Sequence, residues 1–373
     1  MKRRTLLQAG MAAPAVSAVS ASPAPLREKF FGCIAGCHIG SSMGATVEGW
    51  PYERIEREHG THQRLLPYEH YRNGWKREPG TTEDGVERQK LIITAIIEKK
   101  DRVNAEDVRR IWVRDIKPES AGKVSEPFEA ILLAMAKTPI PAVDLGRYCD
   151  YAGLVSMARS CHPIGLINAG DVPGAIADVY EVGQLYQTSN SRGLQWAAVT
   201  GAAIAAATTP GATAESVIAQ VRKHCDRRVV AEIDRGLDAT AACTDFREMR
   251  KAFDRIYSGT GIPYANSYAN EVVTKAVCVL RMTRGVTRDA MIAAVNMGRD
   301  TDCLAAVAAG ISGALSGAAS IPPEWIAQVD KATRMNPYTN SQRTLREHAD
   351  GLYEAFRARL EKMRKYAGEM LTA

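Results

Sequence analysis

Two short acidic clusters, far apart in the chain, combine residue types and spacing that suit metal chemistry. The first is Thr82-Glu83-Asp84, and the second places Asp300 and Asp302 two residues apart, directly before an Ala- and Gly-rich stretch. Each stands at the start of a predicted helix, where the helix dipole and free N–H groups favour negative charge. Carboxylates gathered in one cleft repel each other unless cations neutralise them, and Mg²⁺ takes oxygen ligands of this kind. If the clusters meet, we expect a metal site.

Each cluster also has a simpler interpretation when it is taken alone. Thr82, Glu83 and Asp84 are suited to cap a helix and to form a favourable acidic first turn. Asp300 and Asp302 are suited to the same task at the later helix. The metal hypothesis therefore depends on the two clusters occurring together in one chain.

The late cluster lies in a longer block that resembles a known family. The block reads Gly298-Arg299-Asp300-Thr301-Asp302-Cys303, and an N-terminal ladder precedes Glu48 with glycines at Gly32, Gly36, Gly40 and Gly44. These features resemble the ADP-ribosylglycohydrolase family, whose members carry an early Thr-Asp-Asp-Thr motif and a late Gly-Gly-Asp-Thr-Asp-Thr motif that together hold two Mg²⁺ ions. The resemblance covers residues 28–330 and implies an all-α, orthogonal multi-helix domain.

The resemblance also implies roles for individual residues. The metal ligands it implies are Thr82, Glu83, Asp84, Asp300, Asp302 and Cys303. The expected cofactor is Mg²⁺, as one or two ions, with Mn²⁺ or Zn²⁺ as alternatives. Glu48 matches an acidic position beside the metals and substrate of the family, and a carboxylate there suits activation of a bound water. Glu48 and Glu83 are the two candidates for proton transfer.

Two ligand positions depart from the family pattern. Glu83 stands where the family has Asp, so its oxygens extend one methylene further. Cys303 replaces the usual Thr or Ser, and a thiol suits Zn²⁺ better than Mg²⁺. One of the two ions is therefore expected to be lost, weakened or replaced, although Cys303 also suits a small buried filler. Ser41 stands where the family has an Asp in its glycine-rich helix.

The segment that contacts ADP-ribose in the family has drifted further. The family pattern Gly-Asn-Gly-(small)-(small)-Met-Arg corresponds here to Gly153-Leu154-Val155-Ser156-Met157-Ala158-Arg159. Gly153, Arg159 and His162 are the expected substrate contacts, although a structural role for His162 is the alternative. Bulk at Leu154 and Val155, where the backbone should approach a ligand, indicates a changed substrate.

Helical periodicity dominates the elements that must position these residues, and convincing strand alternation is absent. The sequence predicts one large all-α domain. Its helices are expected at residues 27–47, 83–99, 105–113, 125–136, 172–186, 193–208, 214–224, 228–238, 246–257, 270–281, 287–295, 302–316 and 341–370.

The polar segments between these helices are predicted to be loops. Residues 159–171 and 257–267 are the candidates to line a pocket. The longest loop, residues 52–80, carries three histidines without a metal-binding spacing, and these are expected at the surface: His59, His62 and His70.

The N-terminus resembles a targeting segment. Lys2-Arg3-Arg4 followed by a short apolar stretch and Val19-Ser20-Ala21 is typical of a twin-arginine export signal with a small-residue cleavage site. Three units are therefore expected: a signal at residues 1–21, the domain at 28–330, and a helical extension at 331–373 that packs on the domain. This organisation predicts a periplasmic or secreted protein that is not inserted stably in the membrane.

Composition argues against nucleic acid as a partner, but it does not decide whether the cysteines form disulfides. The formal net charge of the 373-residue chain is +6, and three of its positive charges lie in the signal. That surplus is too small to indicate nucleic-acid binding. The eight cysteines are even in number, which suits disulfides in an exported protein, but their spacing favours buried free thiols.

Two functions from different classes remain. The first is an exported, metal-dependent glycohydrolase that cleaves a ribosyl or related N- or O-glycosidic bond, with an ADP-ribosyl bond as one candidate. The second is an inactive member of the family that serves as a ligand-binding or scaffold protein. Both late aspartates favour the enzyme, whereas the changes at Glu83, Cys303 and Leu154 favour the scaffold. Uptake of metal separates the two.

Overall fold

Helices account for almost all the regular structure of the computed structural model, which describes residues 24–69, 74–149, 153–257 and 268–372. The helices are α1 (Leu26–Ala45), α2 (Tyr52–His59), α3 (Asp84–Lys99), α4 (Ala105–Asp115), α5 (Phe128–Ala136), α6 (Ser156–Ser160), α7 (His162–Ile167), α8 (Val172–Gly183), α9 (Arg192–Ala207), α10 (Ala214–His224), α11 (Arg227–Ala239), α12 (Phe246–Tyr257), α13 (Ala269–Met282), α14 (Thr287–Val295), α15 (Thr301–Ser316), α16 (Pro323–Thr333) and α17 (Leu345–Thr372), with a 3₁₀ helix at Ala142–Tyr148. Two residues each form β1 (Tyr68–Glu69) and β2 (Lys76–Arg77), which pair antiparallel. The predicted all-α class is confirmed.

The differences from the predicted elements lie between the predicted helices, and they include the 11-residue helix α16 (Pro323–Thr333), where no helix was predicted. α2 and the β1–β2 pair lie within residues 52–80, and α7 lies within residues 159–171, both of which were predicted as loops. Helices of one or two turns are too short to show apolar periodicity, which needs a window of about 11 residues or more.

The predicted histidine environment was wrong at one position. His62 is only 1% exposed, because its ring packs beside α1 and its Nε2 atom lies 2.7 Å from the Thr46 hydroxyl. His59 is half-buried and stacks on Trp50. His70 and residues 258–267 lie outside the described residues.

The closest helix pair is α1 against α15, and it contains the glycine ladder. A Cβ atom added to Gly36 would lie 2.4 Å from the Ala309 carbonyl oxygen, and one added to Gly40 would lie 2.7 Å from the Ala305 carbonyl oxygen. Gly32 and Gly44 contact the backbone of α15 in the same antiparallel register. The two backbones therefore contact each other at every fourth residue, because only glycine leaves room for the facing carbonyl groups.

This glycine seam aligns the C-terminal end of α1 with the N-terminal end of α15. The Thr301 hydroxyl donates a hydrogen bond of 2.8 Å to the Gly44 carbonyl group, which fixes the relative position of the two ends. Asp300 and Asp302 therefore lie beside the residues that follow α1, including Glu48.

The C-terminal helix α17 packs on the domain through its first half. Leu352 and Phe356 are buried, and the helix contacts α1, α3 and α7. From Leu360 onward every described residue of α17 is exposed. Within the described ranges, no helix has both the length and the apolar character needed to cross a bilayer.

The cysteines form no disulfide. All eight lie in described segments and are free thiols, and only Cys225 and Cys243 are partly exposed. The expectation of buried free thiols is confirmed for the other six.

Replacing Gly36 with Ala is expected to destabilise the protein by about 1–3 kcal/mol, because the added methyl group overlaps backbone atoms of α15 that cannot move independently. Urea denaturation monitored by circular dichroism measures the effect. Gly368→Ala is the matched control, since nothing lies within 4 Å of the added Cβ atom in exposed α17. Equal stability of the two variants would contradict the close packing of the seam.

Candidate metal centre

The early acidic cluster begins α3, and Glu83 is its N-cap. The backbone N–H groups of Gly85 and Val86 donate to the Glu83 carboxylate over 2.7 and 3.0 Å. The Ser41 hydroxyl donates to Oε1 over 3.1 Å, and the Arg159 guanidinium donates to Oε2 over 2.9 Å. The extra methylene of Glu lets the side chain fold back onto its own helix. Both Glu83 oxygens are therefore occupied by protein donors.

Asp84 faces a second group of buried charges. Its Oδ2 atom accepts from Arg88 Nη2 over 2.7 Å, and its Oδ1 atom lies 3.3 Å from Arg159 Nη2. Arg88 Nε in turn lies 2.6 Å from Glu129 Oε1, and Glu126 approaches the same guanidinium at 3.7 Å. Two arginines thus neutralise much of the negative charge of Asp84, Glu126 and Glu129.

Thr82 points into a different network from the predicted one. Its hydroxyl donates to Glu87 Oε1 over 2.7 Å and accepts from Lys90 Nζ over 3.1 Å. Lys90 also pairs with Glu87 at 2.6 Å, and both side chains are buried. The hydroxyl is therefore occupied by an ion pair on α3 and is not turned toward Asp300 and Asp302.

The late acidic cluster begins α15, where Asp300 is the N-cap. Its Oδ1 atom accepts from the Cys303 N–H group over 3.3 Å, whereas Asp300 Oδ2 and Asp302 Oδ1 have no hydrogen-bond partner although both are buried. One ligand atom from each of Asp300, Asp302 and Cys303 lies within 4.8 Å of the others. Unpartnered buried carboxylate oxygens are costly, so the arrangement calls for a positively charged ligand.

Burial and mutual repulsion perturb these carboxyl groups. Burial raises the pKa of Asp300 to about 6, and the charge of Glu48 adds to the effect. Burial also raises the pKa of Asp302 well above its ordinary value, and the adjacent Asp300 adds to it. Without a cation, both shifts favour the protonated form of these carboxyl groups.

Cys303 is a weak candidate for a soft ligand. Its thiol lies 3.7 Å from Asp302 Oδ2 as a donor, and it accepts from Arg159 Nη1 over 3.2 Å. Burial raises the pKa of the Cys303 thiol well above its usual range, so the thiol is protonated. Since the thiolate is the metal-binding form, oxygen atoms dominate this end of the site.

Arg159, which was expected to contact substrate, lies between the two acidic clusters. Its side chain belongs to α6, is 5% exposed, and approaches Glu83 and Asp84 at the distances given above. Its Nη1 atom also lies 3.7 Å from Asp302 Oδ2. The guanidinium therefore joins the early cluster to the late one.

Glu48 lies at the more open side of the site. It is half-buried in the turn after α1, and hydrogen bonds of 2.8 Å from Gly49 N to Arg299 O and from Arg299 N to Trp50 O clamp this turn to the late cluster. Burial raises the pKa of Glu48 well above its ordinary value, with a further contribution from Asp302 and an opposing one from Arg159. Glu48 is thus a carboxyl group suited to carry a proton at neutral pH.

The other predicted substrate contacts lie apart from this opening. His162 is completely buried, with Nδ1 3.1 Å from Gln89 Nε2 and Nε2 3.1 Å from the Ala306 carbonyl oxygen. Burial lowers the pKa of His162 to about 4, so the ring is neutral. Gly153 is half-buried and its carbonyl accepts from Ala269 N over 3.1 Å. Both ring nitrogens of His162 contact buried groups of the protein, which fits a structural role for this histidine.

The donor set fits a hard divalent cation at the late cluster. Asp300 and Asp302 supply unpartnered buried oxygens, which are the preferred ligands of Mg²⁺ and Mn²⁺. Thr82 and Glu83, by contrast, have their oxygens occupied by protein donors. The two clusters lie close together, as the sequence predicted, but they differ in how far protein donors already occupy their side-chain oxygens.

Several residues that shape the site were not expected from the sequence. Glu126 and Glu129 lie around α5 and reach the site only through tertiary packing, so no local signal marked them. Arg299 carried a visible signal, because it stands where the family motif has Gly. Its backbone is left-handed, with φ of 68°, and its side chain binds Glu271 at 2.7 and 2.9 Å.

The comparisons with known proteins agree with this geometry. The family model described as ADP-ribosylglycohydrolase matches residues 22–361. Uncharacterized protein YegU of Escherichia coli (strain K12) is 23% identical over 327 residues, covering 83% of this chain and 94% of that protein. A solved structure, the ADP-ribosylglycohydrolase-related protein complex, matches with a TM-score of 0.60 and 15% identity over 89% of this chain and 98% of that one, which shows a shared fold. Since the family model spans nearly the whole chain, the protein belongs to the ADP-ribosylglycohydrolase family.

Proposed function

We propose that this protein is a metal-dependent glycohydrolase that cleaves an N- or O-glycosidic bond to an ADP-ribosyl group or a smaller ribosyl group. The observation that carries the proposal is the pair of unpartnered oxygens on buried Asp300 and Asp302, beside the partly accessible Glu48. Membership of the family supports hydrolysis of an ADP-ribose-like substrate.

Asp300 and Asp302 would hold the cation. A bound Mg²⁺ supplies Lewis-acid polarisation of sugar hydroxyl oxygens, and its charge would relieve the repulsion between the two carboxylates. The N-terminus of α15 orients Asp300, because its Oδ1 atom accepts a hydrogen bond from the Cys303 N–H group. Buried negative charge would also stabilise an oxocarbenium-like transition state at the anomeric carbon of a bound sugar.

Glu48 is the better of the two predicted proton carriers. Burial raises the pKa of Glu48 well above its ordinary value, which favours the protonated carboxyl group that can donate a proton to the leaving group. The resulting carboxylate can then accept a proton from the water that attacks the anomeric carbon. Glu83 already accepts four hydrogen bonds, which suits it to hold α3 and Arg159 in place.

A ligand-binding or scaffold role is the second candidate. The observation that favours it is that the side-chain oxygens of Thr82 and Glu83 already form hydrogen bonds with other side chains and with the backbone. Such a protein would bind an ADP-ribose-like small molecule without cleaving it. Hydrolysis measured directly separates this candidate from the enzyme.

Asp300→Asn and Asp302→Asn are each expected to lower hydrolysis by about 100-fold or more, because several kcal/mol of charge stabilisation go with the cation. The assay follows release of ribose or ADP-ribose from a panel of N- and O-linked ribosides and ADP-ribosides. Asp289→Asn is the control, because this side chain of α14 is exposed, and the variant should retain full activity. Full activity of both site variants would refute the proposed enzyme.

Cation affinity is expected to fall by about tenfold or more between pH 7.5 and pH 5, because protons compete for carboxylates that must be ionised to bind metal. The pKa of Asp300 in the cation-free protein is about 6, and that of Asp302 is also raised, so affinity rises with pH through this range. Calorimetric titration with Mg²⁺ at several pH values measures the change. An affinity independent of pH would show that these aspartates are not the ligands.

We also propose that the chain is exported through the twin-arginine route and acts in the periplasm or outside the cell. Replacing Arg3 and Arg4 together with Lys is expected to abolish accumulation of the protein outside the cytoplasm, because the paired guanidinium groups define the signal. Cell fractionation with immunodetection measures the distribution. Unchanged export of the double variant would contradict the proposed twin-arginine signal.

A further inference from the structure

The two halves of the candidate metal centre differ in how their negative charge is satisfied. In the early half, the Glu83 oxygens accept from two backbone N–H groups, from Ser41 and from Arg159. Asp84 is paired with Arg88 and Arg159. In the late half, Asp300 Oδ2 and Asp302 Oδ1 are buried without a partner. Asp84, Glu126 and Glu129 also lie close enough together to hold an ion, but Arg88 and Arg159 compensate their charge, so the uncompensated demand for a cation lies at the late end.

The Arg159 guanidinium supplies the positive charge of the early half. Its Nη1 atom lies 2.9 Å from Glu83 Oε2 and its Nη2 atom lies 3.3 Å from Asp84 Oδ1. The planar guanidinium keeps its charge at every accessible pH and matches paired carboxylates with a fixed fork of N–H donors. It therefore compensates one of the two negative charges of Glu83 and Asp84, and Arg88, 2.7 Å from Asp84, supplies the second positive charge that a divalent ion between them would bring.

The backbone around Arg159 limits where this side chain can go. The Arg159 carbonyl group accepts from Gln89 Nε2 over 3.3 Å, and the neighbouring Ser160 hydroxyl donates to the Gly85 carbonyl over 3.0 Å. A Cβ atom on Gly85 would lie 2.3 Å from Arg159 Nε, so the side chain lies flat against the first turn of α3. The guanidinium is thus packed into the early half by α3 itself.

A divalent ion placed between Glu83 and Asp84 would meet this fixed positive charge at short range. Like charges a few ångströms apart in a buried site repel each other strongly. The ion would also have to displace the hydrogen bonds that cap α3. Both costs are smaller at the late end, because Arg159 approaches Asp302 only at 3.7 Å and the unpartnered oxygens of Asp300 and Asp302 gain from a cation.

We infer that Arg159 is a built-in counter-cation that takes the place of one metal ion, so that this chain binds a single divalent cation, at Asp300 and Asp302. The inference rests on the metal site of the proposed function, but it concerns the number of ions rather than the reaction. The position of Glu83, one methylene longer than Asp, supports it, because the longer side chain reaches both its helix and Arg159.

The test is the number of Mn²⁺ ions bound per folded chain, measured by equilibrium dialysis with elemental analysis. The wild-type chain should bind one ion. Arg159→Gln removes the positive charge and should bind two. Arg159→Lys keeps the charge and should bind one. Arg250→Gln is the control, since Arg250 is also buried but pairs with Glu56 on α2; it should bind one.

A second pair of variants locates the ions. Asp300→Asn should abolish binding in the wild-type background, whereas the double variant Arg159→Gln with Asp300→Asn should retain one ion in the early half. Thermal denaturation with and without Mn²⁺ gives an independent readout. Arg159→Gln should gain more stability from the ion than Arg159→Lys does, because its early carboxylates otherwise remain unneutralised.

Each alternative outcome overturns the inference in an identifiable way. Two ions in the wild-type chain, or in Arg159→Lys, would show that the guanidinium does not replace an ion. If Arg159→Gln folds and still binds one ion, the early half is not a latent cation position. Two ions together with hydrolysis would leave the proposed function intact, whereas no uptake by the wild-type chain would remove the metal site and this inference together.

Discussion

Like charges that are held together away from water must be compensated, and this constraint governs the centre of the molecule. Glu83, Asp84, Asp300 and Asp302 are all nearly inaccessible, at 0–3% exposure. Arg159 compensates part of this charge, and retained protons or a cation must compensate the rest. The arrangement is therefore stable only if the surrounding helices keep every charge at a fixed distance from its partner.

The glycine seam between α1 and α15 provides one of these fixed distances. Because the two backbones touch at Gly36 and Gly40, the N-terminus of α15 cannot slide relative to the end of α1. The hydrogen bond from Thr301 to the Gly44 carbonyl completes this alignment. Packing that involves no charged group thus determines how closely Glu48 approaches Asp302.

The segment before α17 provides the second support, from the opposite side of α3. The Thr339 hydroxyl donates to Glu87 Oε2 over 3.1 Å, and Asn336 Nδ2 donates to the Thr82 carbonyl over 3.1 Å. The Tyr338 hydroxyl binds Glu129, which in turn holds Arg88 against Asp84. The C-terminal part of the chain is therefore in direct contact with the candidate metal centre, and the family model extends over this part to residue 361.

The sequence by itself determined the helical fold, the position of most long helices and the meeting of the two acidic clusters. These features follow from local periodicity, from glycines every fourth residue and from a motif of contiguous residues, all of which are visible along the chain. His62, Glu126 and Glu129 could not be placed in this way, because their burial depends on segments distant in sequence. Only the tertiary structure decided that the Thr82 hydroxyl faces Lys90, that Glu83 caps its own helix and that Arg159 lies between the clusters. The physical reason is that the type of a side chain determines which hydrogen bonds and ion pairs it can form. The packing of the surrounding helices determines which partners lie within reach of it.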